Sequence, residues 1–88
     1  MTTQDTAIDG TWKDIKSDLS LVDDTAYTFQ AFATEGIFLF EGAEPSDATL
    51  GIHNGNRVLI GVTPSAGNGI WVRTDSRKTG VIVATEGI

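Results

Sequence analysis

Apolar residues recur at every second position in short runs along most of the chain, and turn-forming residues separate these runs. Tyr27, Phe29 and Ala31 fall on one face of such a run, and Thr28 and Gln30 fall on the other. This alternation is typical of a β-strand with one buried face. Seven or eight runs at intervals of about 8–12 residues predict an all-β fold, either a small antiparallel β-sandwich or a jelly-roll-like barrel.

Three further runs define the predicted strands more closely. Residues 36–40 are apolar on both faces, which predicts a central strand that is covered on both sides. Residues 70–74 and residues 79–85 alternate, so each predicts a strand with one face towards the core.

Other segments allow more than one interpretation or depend on a turn. Residues 11–17 favour a strand, with a short helix as the alternative. Asn54-Gly55 is the strongest turn signal and predicts a tight hairpin, because both residue types tolerate positive φ angles. A short strand at residues 49–52 and a strand within residues 57–63, with Gly61 as a candidate bulge, would flank it.

The length of 88 residues indicates one small domain. Residues 1–10 lack periodicity and are predicted to be a flexible N-terminal arm, followed by a single β domain over residues 11–88. The chain contains no cysteine, so a disulfide framework cannot supplement its small core. Association with further copies or with a larger body would supply the missing stabilisation.

The net charge is −6, which argues against binding to nucleic acid or to an anionic membrane surface. Residues 1–50 carry ten acids and two lysines, whereas residues 51–88 carry four bases and two acids. This imbalance is either scattered surface charge or a bipolar surface suited to contacts between protein chains. The polar, acidic N-terminus differs from a secretory signal peptide, so synthesis in the cytoplasm is expected.

Residues that could carry out catalysis are few, and we expect a protein that is not an enzyme. The single imidazole, His53, directly precedes the Asn54-Gly55 turn and is interpreted as a loop or cap histidine. Asp23-Asp24 and the acids within residues 41–47 are interpreted as solvated turn residues, with incidental calcium binding as the alternative. The sequence therefore predicts no catalytic residue, no cofactor and no metal ligand.

Aromatic and basic residues form the best candidate for a contact surface. Trp12, Trp71, Tyr27 and Phe38 could form a sugar-stacking platform, but in so small a chain they favour a core or an interface between chains. Arginine and tryptophan are common at the centres of protein interfaces. The candidate interface residues are Trp12, Trp71, Arg73, Arg77 and Lys78.

The order of segments over residues 11–86 resembles a group of small virion proteins of tailed bacteriophages. That group has an early aromatic residue, an L-x-L-x-x-x-x-x-Y-x-x-Q stretch, an acidic Gly/Pro loop, a glycine turn, a W-x-R/K strand and a closing apolar strand. The matching segments here are Trp12, Leu19-Ser20-Leu21, Tyr27-Thr28-Phe29-Gln30, residues 41–46, Trp71-Val72-Arg73 and residues 81–85.

The resemblance implies a capsid decoration (cement) protein, which is typically β-rich and often trimeric. Such a protein binds the major capsid protein on the outer capsid surface and stabilises the head against internal genome pressure. The expected partners are therefore the major capsid protein and two further copies of the chain, with no nucleic acid and no membrane. The alternative is a tail or fibre-base component, or a glycan-binding recognition module that uses Trp71.

Overall fold

The computed structural model describes residues 3–75 and 78–86, and these residues form eight short strands and one helical turn. The all-β prediction is confirmed. The elements in chain order are β1 (Thr3–Asp9), β2 (Lys13–Asp14), α1 (Ile15–Asp18), β3 (Tyr27–Phe32), β4 (Ile37–Gly42), β5 (Ile52–Asn54), β6 (Leu59–Val62), β7 (Gly69–Thr74) and β8 (Thr79–Glu86). No helix in the described part of the chain has the length and apolar character needed to cross a membrane.

The strands form two antiparallel four-stranded sheets, as a small β-sandwich requires. The first sheet has the order β1-β8-β3-β6, and the second has the order β2-β7-β4-β5. The predicted central position of β4 is confirmed, because β7 and β5 flank it. Residues 55–58 join β5, an edge strand of the second sheet, to β6, an edge strand of the first. Four residues are too short to reach from one lateral edge of the sandwich to the other, so these two edge strands lie at the same lateral edge.

The core lies between the sheets and consists of the inward positions of the alternating strands. The alternation predicted for β3, β7 and β8 is confirmed, because every second residue of β3 and β7 is buried, as are Ile82 and Ala84 of β8. The largest apolar side chains with less than 2% exposure are Phe29, Ile15, Ile37, Ile70, Ile82 and Val72.

The N-terminal segment corrects the prediction of a flexible arm over residues 1–10. Residues 3–9 form β1, and each of the seven pairs in register with a residue of β8, from Thr3 opposite Thr85 to Asp9 opposite Thr79. Ile8 is only 3% exposed and belongs to the core. The strand was missed because Ile8 is its only large apolar residue, so the sequence pattern is weak although the backbone pairing is complete.

Residues 11–17 combine the two interpretations that the sequence allowed. The strand β2 has two residues and leads directly into the single turn α1. The Asp14 carboxylate caps that turn by accepting the backbone N–H groups of Lys16 and Ser17. Leu19, which ends the turn, is buried and lies outside any strand.

The predicted hairpin at Asn54-Gly55 is wrong. The strands on either side of this turn, β5 and β6, belong to different sheets, so the segment crosses the sandwich and does not join neighbouring strands. Asn54 remains in β5, and the residue with a positive φ is Arg57, at 66°. The strand expected at residues 49–52 begins only at Ile52, and Gly61 pairs in register with Thr28 without a bulge.

Candidate functional site

The outer face of the second sheet carries aromatic side chains around one arginine. Phe38 lies opposite Arg73 in the register of β4 and β7, and Phe40 lies opposite Trp71. The intervening residue Leu39 packs against the core, so Phe38 and Phe40 project from the other side of the sheet. The apolar character of both faces of residues 36–40 therefore serves two surfaces, one in the core and one outside it.

Trp12 lies across this outer face, although it precedes the edge strand β2. Its ring centroid is 6.3 Å from that of Phe40, and its Nε1 donates a hydrogen bond to the carbonyl oxygen of Ser46 at 3.1 Å. Gly51 permits this arrangement, because a Cβ at that position would lie only 2.9 Å from the Trp12 ring. The indole is thus held in place by contacts from three separate segments.

The guanidinium of Arg73 stacks against two of these aromatic rings. Its Cζ lies 4.7 Å from the ring centroid of Trp12 and 5.7 Å from that of Phe38. Such cation–π contacts contribute about 0.5–2 kcal/mol each, and more when the cation is desolvated. The indole that contacts Arg73 is therefore that of Trp12, although Trp71 is the tryptophan nearer to Arg73 in the sequence.

Arg73 has no counter-ion within residues 3–75 and 78–86. The only ion pairs among these residues are Lys13–Asp18 and Lys16–Asp23. The Arg73 Nε is buried and has no hydrogen-bond partner, whereas its two terminal nitrogens are neither bonded nor fully buried. This charged group is thus partly desolvated without a compensating carboxylate, which is costly unless a further group binds there.

His53 belongs to the same face, and its interpretation as a loop histidine is corrected. It lies in β5 opposite Phe38, with its ring centroid 5.1 Å from that of the phenylalanine. Its Nε2 is 2.9 Å from the carbonyl oxygen of Glu35. His53 and Phe40 were not predicted as members of this face, because the pairing of β5 with β4 brings His53 there and the pairing of β4 with β7 places Phe40 opposite Trp71.

Two of the remaining predicted interface residues, Trp71 and Lys78, lie within the described part of the chain. Trp71 is half-buried, and its Nε1 donates to the carbonyl oxygen of Gly42 at 3.1 Å. Lys78 is exposed beyond the end of β7, where its carbonyl oxygen accepts the hydroxyl of Thr74. Arg77 lies outside the described residues. The structure therefore brings Trp12 and Arg73 into contact, with Trp71 further along the same face.

A second surface of interest is apolar and lies where β5 and β6 form edges. Four large apolar side chains from these strands or the residues just before them are exposed, and we call them the apolar side. They are Leu50 (88%), Ile52 (70%), Leu59 (66%) and Val58 (48%). These four side chains lie on or next to two edge strands that the short segment 55–58 joins, and exposed apolar area of this kind is a candidate contact surface.

Three acidic residues belong to segments that contact or adjoin the loop between β6 and β7, and we call Asp24, Glu41 and Glu86 the acidic end. The backbone N–H of Asp24 donates to a loop carbonyl oxygen at 2.8 Å, and Glu41 accepts a loop hydroxyl at 3.2 Å. Glu86 pairs with the first residue of β3, which also pairs with the last residue of β6. Nearby Lys16 is already paired with Asp23, so these three carboxylates are not neutralised by it.

The neighbours of the Asp18 carboxyl perturb its pKa. The Thr6 hydroxyl and the Lys13 ammonium donate hydrogen bonds to it, and together with the Lys13 charge they lower its pKa. Both donors tie β1 and β2 to the helical turn, so this group has a structural role. No three His, Cys, Asp or Glu side chains of residues 3–75 and 78–86 converge as metal ligands.

Comparisons of the chain with protein-family models, with curated proteins and with solved structures gave no match. Function is therefore inferred from the contacts, burial and charges of the residues, together with the resemblance in segment order. Two surfaces support that inference. One is the outer face of the second sheet, which we call the arginine–aromatic face, and the other is the apolar side.

Proposed function

We propose that this chain is a non-enzymatic structural protein of a tailed-phage virion, a capsid decoration protein that binds the major capsid protein on the outside of the head. It acts as a homotrimer and stabilises the assembled shell. The observation that carries the proposal is the apolar side, because it offers a surface of the kind that protein partners cover. The resemblance of segment order supplies the class of partner.

The energetics favour contact with a large body. Burying a leucine or isoleucine side chain contributes about 1.5–3 kcal/mol relative to exposure, and Leu50, Ile52 and Leu59 are each at least 66% exposed. A partner that binds only the assembled shell stabilises that shell by mass action. A trimer would multiply the weak contact of each copy through its high effective concentration.

The proposal is tested by adding the purified protein back to phage heads from which it has been stripped. Wild-type protein is expected to sediment with the heads and to raise the temperature at which they open. Ile52→Ser and Leu59→Ser should each weaken binding about tenfold or more, which corresponds to about 1.4 kcal/mol. Val22→Ser is the matched control, because Val22 is also 58% exposed and its backbone N–H donates to Tyr27, at the opposite end of β3 from the Gln30–Leu59 pair. Failure of the wild type to bind heads, or equal binding by all four proteins, would refute the proposal.

The aromatic face favours one alternative, a glycan-binding module of a tail or fibre base. Trp12, Phe38, Phe40 and Trp71 are all only partly buried there. Against this, Arg73 occupies one face of the Trp12 ring, which a sugar would otherwise stack on. Binding on a glycan array that is lost in Trp71→Ala, together with co-purification with tails, would favour this alternative.

A further inference from the structure

We propose that the outer face of the second sheet binds carboxylates of a second copy of this chain, so that the acidic end of one copy contacts Arg73 of the next. This inference rests on the proposed homotrimer and names the contact that forms it. Arg73 supplies the charge, and Trp12 and Phe38 hold its guanidinium in one orientation.

The state of Arg73 indicates a binding group of opposite charge. Arginine tolerates partial burial because its planar guanidinium stacks on aromatic rings and binds carboxylates through two parallel hydrogen bonds. Here the stacking is present, with Trp12 at 4.7 Å, but the carboxylate is missing within residues 3–75 and 78–86. The two terminal nitrogens are neither bonded nor fully buried, so their donors remain available to an incoming carboxylate.

The chain itself provides the complementary group. The acidic end presents Asp24, Glu41 and Glu86, none of which is neutralised by an ion pair with a described residue. Opposite charge on two patches of one protein steers copies towards each other and fixes their orientation.

The two patches do not pair within one copy, since no ion pair joins Arg73 to Asp24, Glu41 or Glu86. Glu41 lies three residues beyond Phe38 on β4, and Phe38 lies opposite Arg73. At about 3.3 Å per residue, Arg73 and Glu41 are therefore about 10 Å apart along the sheet. Because one patch binds a different patch of the next copy, the contact is heterologous, and a threefold rotation would close it into a ring.

The first test measures the oligomeric state in solution by sedimentation velocity at low and moderate salt. The wild type is expected to form a trimer at low salt that dissociates as salt is added, because screening weakens exposed charge contacts. Arg73→Gln should weaken association about 30-fold or more. Arg73→Lys, which keeps the charge but loses the planar group, should give an intermediate value.

Arg57→Gln is the matched control. Arg57 also lacks an ion pair with a described residue and lies 5.7 Å from an aromatic ring, that of Phe32, but it contacts the first sheet. The Arg57→Gln variant should leave the trimer intact. Circular dichroism and thermal melting of each variant distinguish loss of association from loss of fold.

The second test identifies the acidic partner by mixing two variants. A triple variant, Asp24→Asn with Glu41→Gln and Glu86→Gln, should be monomeric like Arg73→Gln. A mixture of the two should form dimers with one intact contact and no closed trimer. A wild type that is monomeric at low salt, or an Arg73→Gln variant that assembles like the wild type, would overturn the inference. A trimer that depends on Arg73 yet ignores phage heads would overturn only the proposed function.

Discussion

Replacing Ile8 by alanine tests whether the N-terminal segment is part of the fold. Ile8 is 3% exposed and packs in the core, although it lies on an edge strand that pairs only with β8. Truncating a buried isoleucine to alanine costs about 2–5 kcal/mol, and an edge site collapses more easily than a central one. We therefore expect a loss of about 2–3 kcal/mol from the free energy of unfolding.

This loss is large for a domain of this size. At about 0.05–0.15 kcal/mol per residue, an 88-residue domain has about 4–13 kcal/mol of net stability. Each kcal/mol shifts the melting temperature of a small domain by about 4–8 °C, so Ile8→Ala should melt about 8–24 °C below the wild type. Thermal and denaturant unfolding followed by circular dichroism measure both quantities.

Asp5→Ala is the control, because Asp5 lies on the exposed face of the same strand opposite Val83. It should change stability by no more than about 0.5 kcal/mol. Amide hydrogen exchange should also show protection at alternate residues of the segment 3–9, since on an edge strand every second N–H donates to the neighbouring strand, here β8. Equal melting of the two variants together with unprotected amides would refute the assignment of this segment to the sheet.

Two further predictions concern a glycine pair and a carboxyl group. Gly36 and Gly67 both have φ near +80°, so alanine at either costs about 1–2 kcal/mol, but only at Gly36 would the Cβ collide with the carbonyl of Asn54. Gly36→Ala should therefore be clearly less stable than Gly67→Ala in the same denaturant titration, and equal losses would contradict this. Because folding lowers the pKa of Asp18, its ionised carboxyl stabilises the fold at pH values above its ordinary pKa of about 3.9. That stabilisation is lost as the pH falls through the lower pKa of the folded state. The stability difference between wild type and Asp18→Asn should thus shrink on acidification, whereas a constant difference would contradict the assigned donors.

Sequence patterns predicted the strands that bury one complete face. In β3 and β7 alternate residues are buried along the whole strand, and in β8 they are buried at Ile82 and Ala84, so the period of two in the sequence reflects their packing directly. In β1 only Ile8 is fully buried. This strand is held mainly by backbone pairing with β8, which does not require apolar side chains. Such pairing leaves little trace in a hydrophobic pattern.

The turn at Asn54-Gly55 shows a second limit of local reasoning. Turn chemistry indicates where the chain changes direction, but it does not determine whether the next strand joins the same sheet. For a related reason, the sequence predicted only part of the arginine–aromatic face. Trp71 and Arg73 lie two residues apart on one strand, whereas Trp12 reaches Arg73 from the start of β2, the edge strand that pairs with β7.

The two proposed contacts depend on different physical forces, which has a consequence for assembly. The apolar side gains from removal of Ile52 and Leu59 from water, and salt does not weaken that term. The contact between Arg73 and the acidic end is electrostatic and weakens with salt. As the salt concentration rises, a trimer held by Arg73 would therefore dissociate while its single copies are still bound to the shell. Each copy would then bind without the avidity of the other two. Retention on the head would fall steeply over the same salt range in which the trimer dissociates in solution.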